Sequence, residues 1–252
     1  YEWWYADGSE FGTYMIKDVN PGADDGPSNW QHGDPVISDK RAWDAEIGMY
    51  FSADDGVHGD ELWFTDGTHD GTYMIKDFNQ GSGSSMIKHL TTFGGYIFFS
   101  AQGELWMTDG TEEGAWLIST LSYPSDLFVF EDELYFEAFE TGVGSAVYKI
   151  SEEDLQTETA PQMVFDINSN TQSQGTFVYP TDLGNGNFFF WGDDGVHGYE
   201  PWISNGTAAG TNILLDIEQG GDSSICYEYP LGIIGDLLLF CADESNSGEE
   251  LW

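Results

Sequence analysis

One signature returns along this chain: Glu-Leu-Trp, two residues, Asp-Gly-Thr, then Gly-Thr and an apolar stretch ending in Lys-Asp. The fullest copy is Glu61-Leu62-Trp63 with Asp66-Gly67-Thr68, Gly71-Thr72 and Met74-Ile75-Lys76-Asp77. An earlier copy is Glu2-Trp3-Trp4 with Asp7-Gly8-Ser9, Gly12-Thr13 and Met15-Ile16-Lys17-Asp18. Later copies begin at Glu104-Leu105-Trp106 and Glu200-Pro201-Trp202, the second with Asn205-Gly206-Thr207. Ala146-Val147-Tyr148 is a degenerate copy, and Glu250-Leu251-Trp252 starts the signature again. The aromatic anchors Trp4, Trp63, Trp106, Tyr148, Trp202 and Trp252 lie 59, 43, 42, 54 and 50 residues apart. Spacings of this size belong to four-stranded propeller blades.

Each repeat reads as four short strands, A to D. Strand A is an apolar run such as 126–130 or 180–183, ended by Gly94-Gly95, Glu131-Asp132, Asn185-Gly186 or Gly235-Asp236. Asn-Gly and Gly-Gly supply the positive φ of two-residue hairpin turns. Strand B is the aromatic or apolar run at 49–53, 96–101, 134–138, 188–192 and 237–242. Strand C carries Glu-Leu-Trp, and strand D carries the Ile-Lys-Asp stretch. Sustained helical periodicity is absent; residues 151–155 can make one turn. The expected fold is all-β: a five-bladed, propeller-like repeat of four-stranded antiparallel blades, closed by pairing the N- and C-terminal strands. It is expected as one repeat domain over 1–252, with units at roughly 2–60, 61–103, 104–145, 146–199 and 200–252.

The Glu-Leu-Trp-x-x-Asp-Gly-Thr signature resembles the bacterial ELWxxDGT repeat family over nearly the whole chain. The fourth unit departs from it, having lost the motif. The resemblance implies a β-propeller in an exported or surface-anchored protein and no known enzyme activity. The chain opens at Tyr1 inside a repeat, so a longer parent sequence is expected.

Forty-five Asp and Glu against six Lys and Arg give a formal charge of −39. Such a surface repels phosphate backbones and anionic lipid, so nucleic acid is excluded as a partner. No apolar run is long enough to span a membrane as a helix. Cations, neutral or basic glycans and basic protein patches remain, and self-association fits a repeat left open at both ends. Aromatics make up 16% of the chain, which provides a real core rather than a disordered acidic segment. Cys226 and Cys241 fall on adjacent expected strands; whether they are bonded stays open.

The acidic loops are the candidate site. The B-to-C connection reads Asp54-Asp55-Gly56-Val57-His58-Gly59 and returns as Asp193-Asp194-Gly195-Val196-His197-Gly198. The D-to-A connection starts at Asp18 with Asn20, at Asp77 with Asn79, at Asp166 with Asn168 and at Asp216, with Asp24 and Asp25 beyond the first. In an antiparallel meander these connections emerge on one face. Asp18, Asn20, Asp54, Asp55, Asp77, Asn79, Asp193, Asp194 and Asp216 then form a ring of oxygens suited to Ca²⁺. The same residue types also make ordinary turns. His58 and His197 have no His or Cys partner nearby in the chain, so turn packing is expected of them rather than transition-metal binding.

Trp4, Trp63, Trp106, Trp202 and Trp252 are expected as structural wedges between blades, with ligand stacking as the alternative for the first four. No nucleophile elbow, zinc-protease motif or phosphate loop is present. The expected role is non-enzymatic: a secreted or surface repeat protein for binding or adhesion to a glycan or surface partner. A structural subunit of an extracellular filament or surface layer, calcium-stabilised, is the alternative. A polysaccharide-acting enzyme is a third reading, without a residue set of its own.

Overall fold

The computed structural model describes all residues except 1, 7, 10, 22–40, 45–47, 112–113, 173–175, 227–229, 231, 236 and 245–247. Asp24, Asp25 and the second half of the Gly235-Asp236 turn therefore lie outside the described residues. The chain forms two compact units, Tyr1–Thr120 and Leu121–Trp252. The division falls between a strand D and the next strand A, inside the expected unit 104–145.

In the first unit β1 (Trp3–Ala6) and β2 (Thr13–Lys17) form a two-stranded ribbon. A four-stranded sheet follows, made of β3 (Arg41–Asp44), β4 (Gly48–Asp54), β5 (Asp60–Thr65) and β6 (Thr72–Lys76). The next comprises β7 (Lys88–Phe93), β8 (Tyr96–Ala101), β9 (Glu104–Thr108) and β10 (Ala115–Ser119). Both are antiparallel meanders in sequence order, with the A-B-C-D succession expected of a blade.

The second unit repeats the plan. One sheet holds β11 (Ser122–Phe130), β12 (Glu133–Glu140), β13 (Gly144–Ser151) and β14 (Gln162–Phe165). Another holds β15 (Phe177–Asp182), β16 (Phe188–Asp193), β17 (Tyr199–Ser204) and β18 (Asn212–Ile213). Two ribbons follow: β19 (Gly232–Ile234) with β20 (Leu237–Leu239), and β21 (Cys241–Glu244) with β22 (Gly248–Leu251). The expected pairing of first and last strands is not formed among the described residues. β1 pairs with β2, and β22, itself a copy of the signature, holds the edge of β21 through Cys241↔Leu251 to Glu244↔Gly248.

The B strands β4, β8, β12 and β16 read as largely apolar runs because each is buried on both faces, whereas β20 is partly exposed. Along β16 the pleat sends Phe188 and Phe190 into one core with Phe130, Tyr135, Phe165 and Phe177. Phe189 and Trp191 go to the other side, with Ile217, Ile225 and Ala242. Likewise β4 sends Tyr50 toward the core of β8 and Phe51 and Ala53 toward Trp63 and Val19. Each fully buried Phe contributes about 2–3 kcal/mol of transfer free energy.

A feature with no pattern in the sequence recurs on three A strands. Two residues of strand A face one of strand B between Lys88↔Ser100 and Thr91↔Phe98, between Ser125↔Glu137 and Phe128↔Tyr135, and between Val178↔Trp191 and Thr181↔Phe189. The first bulged residues, His89, Asp126 and Tyr179, all have positive φ, 56°, 50° and 54°. Such bulges bend a strand sharply and re-aim its side chains.

The degenerate unit is repaired locally. Where its Asp-Gly-Thr turn is lost, the short helix α1 (Glu152–Thr157) joins β13 to β14. Ser151 and Asp154 form a reciprocal capping box, which satisfies orphan N–H groups at the helix start. The one expected helical turn thus falls at its expected place.

Cys226 and Cys241 are bonded, with Cα atoms 5.8 Å apart beside the bridge Ile225↔Ala242. The loop they close spans 15 residues in sequence. Replacing both by Ser is expected to lower unfolding free energy by about 3 kcal/mol in the chain-entropy account. Urea unfolding of this variant measures it; an unchanged midpoint would show that the second unit does not depend on the bond.

Candidate functional site

The signature resolves into two devices. The first is the turn after strand C. Asp66 Oδ1 accepts from Thr68 N at 2.8 Å and Thr68 Oγ1 at 2.7 Å, and Gly71 N donates to Thr68 Oγ1 at 2.9 Å. Asp109 and Asn205 repeat the carboxylate or amide part with Thr111 and Thr207. The Gly five residues after the Asp or Asn is required by contact: a Cβ at Gly71, Gly114 or Gly210 would lie 2.1, 1.8 or 1.9 Å from the Asp or Asn oxygen. The Asp-Gly-Thr element is therefore a self-satisfied turn, as expected. The Asn205 carboxamide is held inside the same turn.

The second device is the glutamate of Glu-Leu-Trp, which sequence reasoning left without a role. Glu61 and Glu200 are fully buried. Glu61 accepts from Phe78 N at 3.0 Å and from Ser85 Oγ. Glu200 accepts from Ile217 N at 2.9 Å, Glu218 N at 3.4 Å and Ser224 Oγ at 2.7 Å. Burial pushes both carboxyls above the usual range, against the lowering effect of these donors. Ser85 and Ser224, also fully buried, are engaged through their backbones as well. Ser85 N donates to Asp60 O and Ser85 O accepts from Gln102 N; Ser224 N donates to Tyr199 O and Ser224 O accepts from Asp243 N. The carboxylate thus ties the exit of strand D to the entry of the next repeat. A signal was present: in both cases the Ser lies 24 residues after the Glu.

The signature aromatics divide. Trp63 and Trp202 are buried and donate their indole N–H to Ala53 O and Gly192 O, both at 3.1 Å. Trp106 packs on Phe78 with Lys76 Nζ 4.8 Å above its ring. Tyr148 stacks on Phe136. Trp4 is 61% exposed and Trp252 39% exposed, so neither is a buried wedge within its unit.

The acidic loops lie side by side in the expected manner. Asn168 Nδ2 donates to Asp193 O at 3.3 Å, and Asn20 sits against Gly56 in the same relation. On its other flank the B-to-C loop touches the D-to-A connection that follows: a Cβ at Gly198 would lie 2.4 Å from Asp222 O. Within the loop, Asp54 and Asp193 accept from Gly56 N and Gly195 N. Asp55 takes the Val57 and His58 amides and pairs with His58 Nδ1 at 2.7 Å; Asp194 repeats this with Val196 and His197, the ring pair at 2.8 Å. Burial raises the Asp55 and Asp194 carboxyls, but the amide and imidazole donors outweigh it and hold both below the usual range. The same carboxylates raise His58 and His197. These histidines are loop-packing groups, as expected.

Of the expected cation ligands, Asp55 and Asp194 use both oxygens within their loops, and Asp54 and Asp193 each commit Oδ1 to a turn amide. Asn79 donates to Ser84 O, and Asp18 is exposed. Asp77 and Asp216 differ. Asp77 Oδ2 accepts from Gly81 N, but Asp77 Oδ1 and Asp216 Oδ1 are buried without a hydrogen-bond partner. Among the described residues no three His, Cys, Asp or Glu side chains converge as a metal-binding group, so a cation there would take most of its oxygens from carbonyls, amides and water.

No protein-family model and no curated protein matches this chain. Among solved structures it is similar to a gluconolactonase from Xanthomonas campestris, at 12% identity and a TM-score of 0.45, over 81% of this chain and 68% of that one. It is also similar to the catalytic domain of a GH62 α-L-arabinofuranosidase from Coprinopsis cinerea, at 12% identity and a TM-score of 0.41, over 90% and 93%.

Because Asn205 occupies the place of Asp66 with the same bonds, Asp66→Asn is expected to change stability by less than about 0.5 kcal/mol. Asp66→Ala, which strands the donors, is expected to cost about 1–2 kcal/mol. Equal losses in chemical denaturation would show that the charge, not the turn geometry, is what position 66 supplies.

Proposed function

We propose that this chain is a non-enzymatic repeat protein acting outside the cell or at its surface, where it binds a neutral or cationic partner such as a glycan, with Ca²⁺ completing its loop edge. The observation that carries the cation is the pair of orphaned carboxylate oxygens, Asp77 Oδ1 and Asp216 Oδ1, at equivalent positions of two repeats. A buried acceptor without a donor costs about 1–3 kcal/mol, and a hard cation relieves that cost with oxygens from the adjoining turns. The disulfide supports an oxidising compartment. The charge of −39 favours cations and disfavours anionic partners. Five A–B and five C–D strand pairs among the described residues support a propeller-like stacking of the sheets as blades. Closure through the terminal strands would require β22 to yield the edge of β21.

Thermal unfolding in Ca²⁺ and in chelator tests the cation. At a concentration of about 100 times Kd, a site of this kind adds about 2.7 kcal/mol, and D77N/D216N is expected to abolish the rise. Identical unfolding of the wild type in both conditions removes calcium from the proposal.

Trp4 is the most exposed of the signature aromatics, which supports it as the ring that stacks on a sugar face. On a glycan array the wild type is expected to bind a neutral or basic glycan and Trp4→Ala to lose at least about tenfold in affinity, the loss of one stacking contact. Silence of the wild type across such an array would overturn the glycan assignment and leave a protein or self-assembly partner.

A further inference from the structure

The repeats are rich in Asp-Gly and Asn-Gly steps, and such steps carry a chemistry of their own. The Gly amide nitrogen can attack the Cγ of the residue before it, because Gly has no side chain to block the approach. In nearly every such step of the described residues that nitrogen is withheld. In the signature turns Gly67 N donates to Thr65 Oγ1 at 3.0 Å, Gly110 N to Thr108 Oγ1 at 3.0 Å and Gly206 N to Ser204 Oγ at 3.1 Å. In the acidic loops Gly56 N donates to Asp54 Oδ1 and Gly195 N to Asp193 Oδ1, both at 2.7 Å. Each acceptor is the side chain of the residue just ahead of the Asp or Asn. At Asp70-Gly71 the acceptor is Thr68 Oγ1, 2.9 Å from Gly71 N.

Asn185-Gly186 is the exception. The residue ahead of it is Gly184, which has no side chain to offer. Gly186 N has no acceptor among the described residues. Asn185 and Gly186 are both exposed, and a Cβ on Gly186 would meet nothing within 4 Å. Gly206 is buried, and a Cβ there would lie 2.6 Å from Tyr135 Oη. The two Asn-Gly steps do not differ at the electrophile: Asn185 Oδ1 accepts from Asn187 Nδ2 at 3.2 Å, and Asn205 Oδ1 accepts from Thr207 N and Oγ1. They differ at the nucleophile. Gly206 N must give up its bond to Ser204 before it attacks, and Gly186 N has none to give up.

We propose that Asn185-Gly186 is a self-modifying site of the folded protein, and that the side chain ahead of each other step guards it against the same reaction. Gly186 N bonds to Asn185 Cγ, and the Cγ–Nδ2 bond breaks. Ammonia leaves, carrying the proton of the Gly186 amide, and a five-membered succinimide remains. Water then opens the ring. Addition at Cγ restores the original main chain with Asp at 185. Addition at the main-chain carbonyl carbon leaves the chain running through Cγ, an isoaspartyl linkage with one more carbon in the backbone. Either product adds a negative charge to the loop between β15 and β16, which Leu183 N closes onto Asn187 O at 3.0 Å. The isoaspartyl form also lengthens that loop.

The test is incubation of the folded chain at mildly alkaline pH beside the same chain in denaturant, with peptide mapping by mass spectrometry and enzymatic detection of isoaspartate. In denaturant Asn185 and Asn205 are expected to lose ammonia at similar rates, since both precede Gly. In the folded chain Asn185 is expected to stay near its denatured rate. Asn205 is expected to fall at least about tenfold below its own, the effect of tying the nitrogen into a buried hydrogen bond. In Ser204→Ala, shown to be folded by circular dichroism, Asn205 is expected to regain most of that rate. An Asn185 that stays intact in the folded chain, or equal folded rates at Asn185 and Asn205, would overturn the site. An Asn205 rate unchanged in Ser204→Ala would overturn the guard. Should Ser204→Ala unfold, Thr108→Ala takes its place, read as isoaspartate at Asp109: its appearance supports the guard and its absence sinks it.

Discussion

The structure depends on a carboxylate placed where a charge is most expensive. Glu61 and Glu200 are fully buried, and an ionised group there is tolerable only when donors replace its water. The donors come from two places: the turn that follows strand D, and a serine at the entry of the next repeat. A single side chain on strand C therefore fixes both the path of the chain leaving its own sheet and the docking of what comes after. Packing of Phe and Trp faces supplies more free energy, but it is non-directional. The glutamate supplies the register.

With that register fixed, the acidic loops have little freedom. The Asp-Asp-Gly-Val-His-Gly segment is held between two D-to-A connections, with Asn168 bonded on one side and Asp222 touching Gly198 on the other. Most of its carboxylates are consumed in their own turns. Two buried carboxylate oxygens of the D-to-A connections, Asp77 Oδ1 and Asp216 Oδ1, stay without a hydrogen-bond partner.

The degenerate repeat shows how the same fold tolerates loss of its motif. Three functions vanish with Glu-Leu-Trp and Asp-Gly-Thr, and each is replaced by a different device. The turn becomes the capped helix α1. The tryptophan becomes Tyr148, stacked on Phe136 and bonded to Glu140. The glutamate's tie to the next repeat is replaced by Glu137 and Asp126 reaching Thr176 and Tyr179. The last replacement puts two carboxylates, a buried one on β12 and one on the bulge of β11, onto amides at the start of the next sheet.

The sequence by itself determined the all-β class, the A-B-C-D order of each sheet and the chemistry of the Asp-Gly-Thr turn. These follow from short-range rules: alternation along a strand, positive φ at Gly, and an Asp or Asn oxygen reaching amides two residues on. It also showed which loops carry the carboxylates. Only the tertiary structure decided which of the buried oxygens stay unpartnered, that Cys226 meets Cys241, that Trp4 is exposed while Trp63 is buried, and that His89, Asp126 and Tyr179 each open a bulge of the same kind. Each of these depends on groups brought together from distant parts of the chain or on strain imposed by packing, and neither leaves a periodic trace in the residues. The glutamate lies between the two cases: its recurrence is plain in the sequence, but its partner 24 residues away is chosen by how one sheet meets the next.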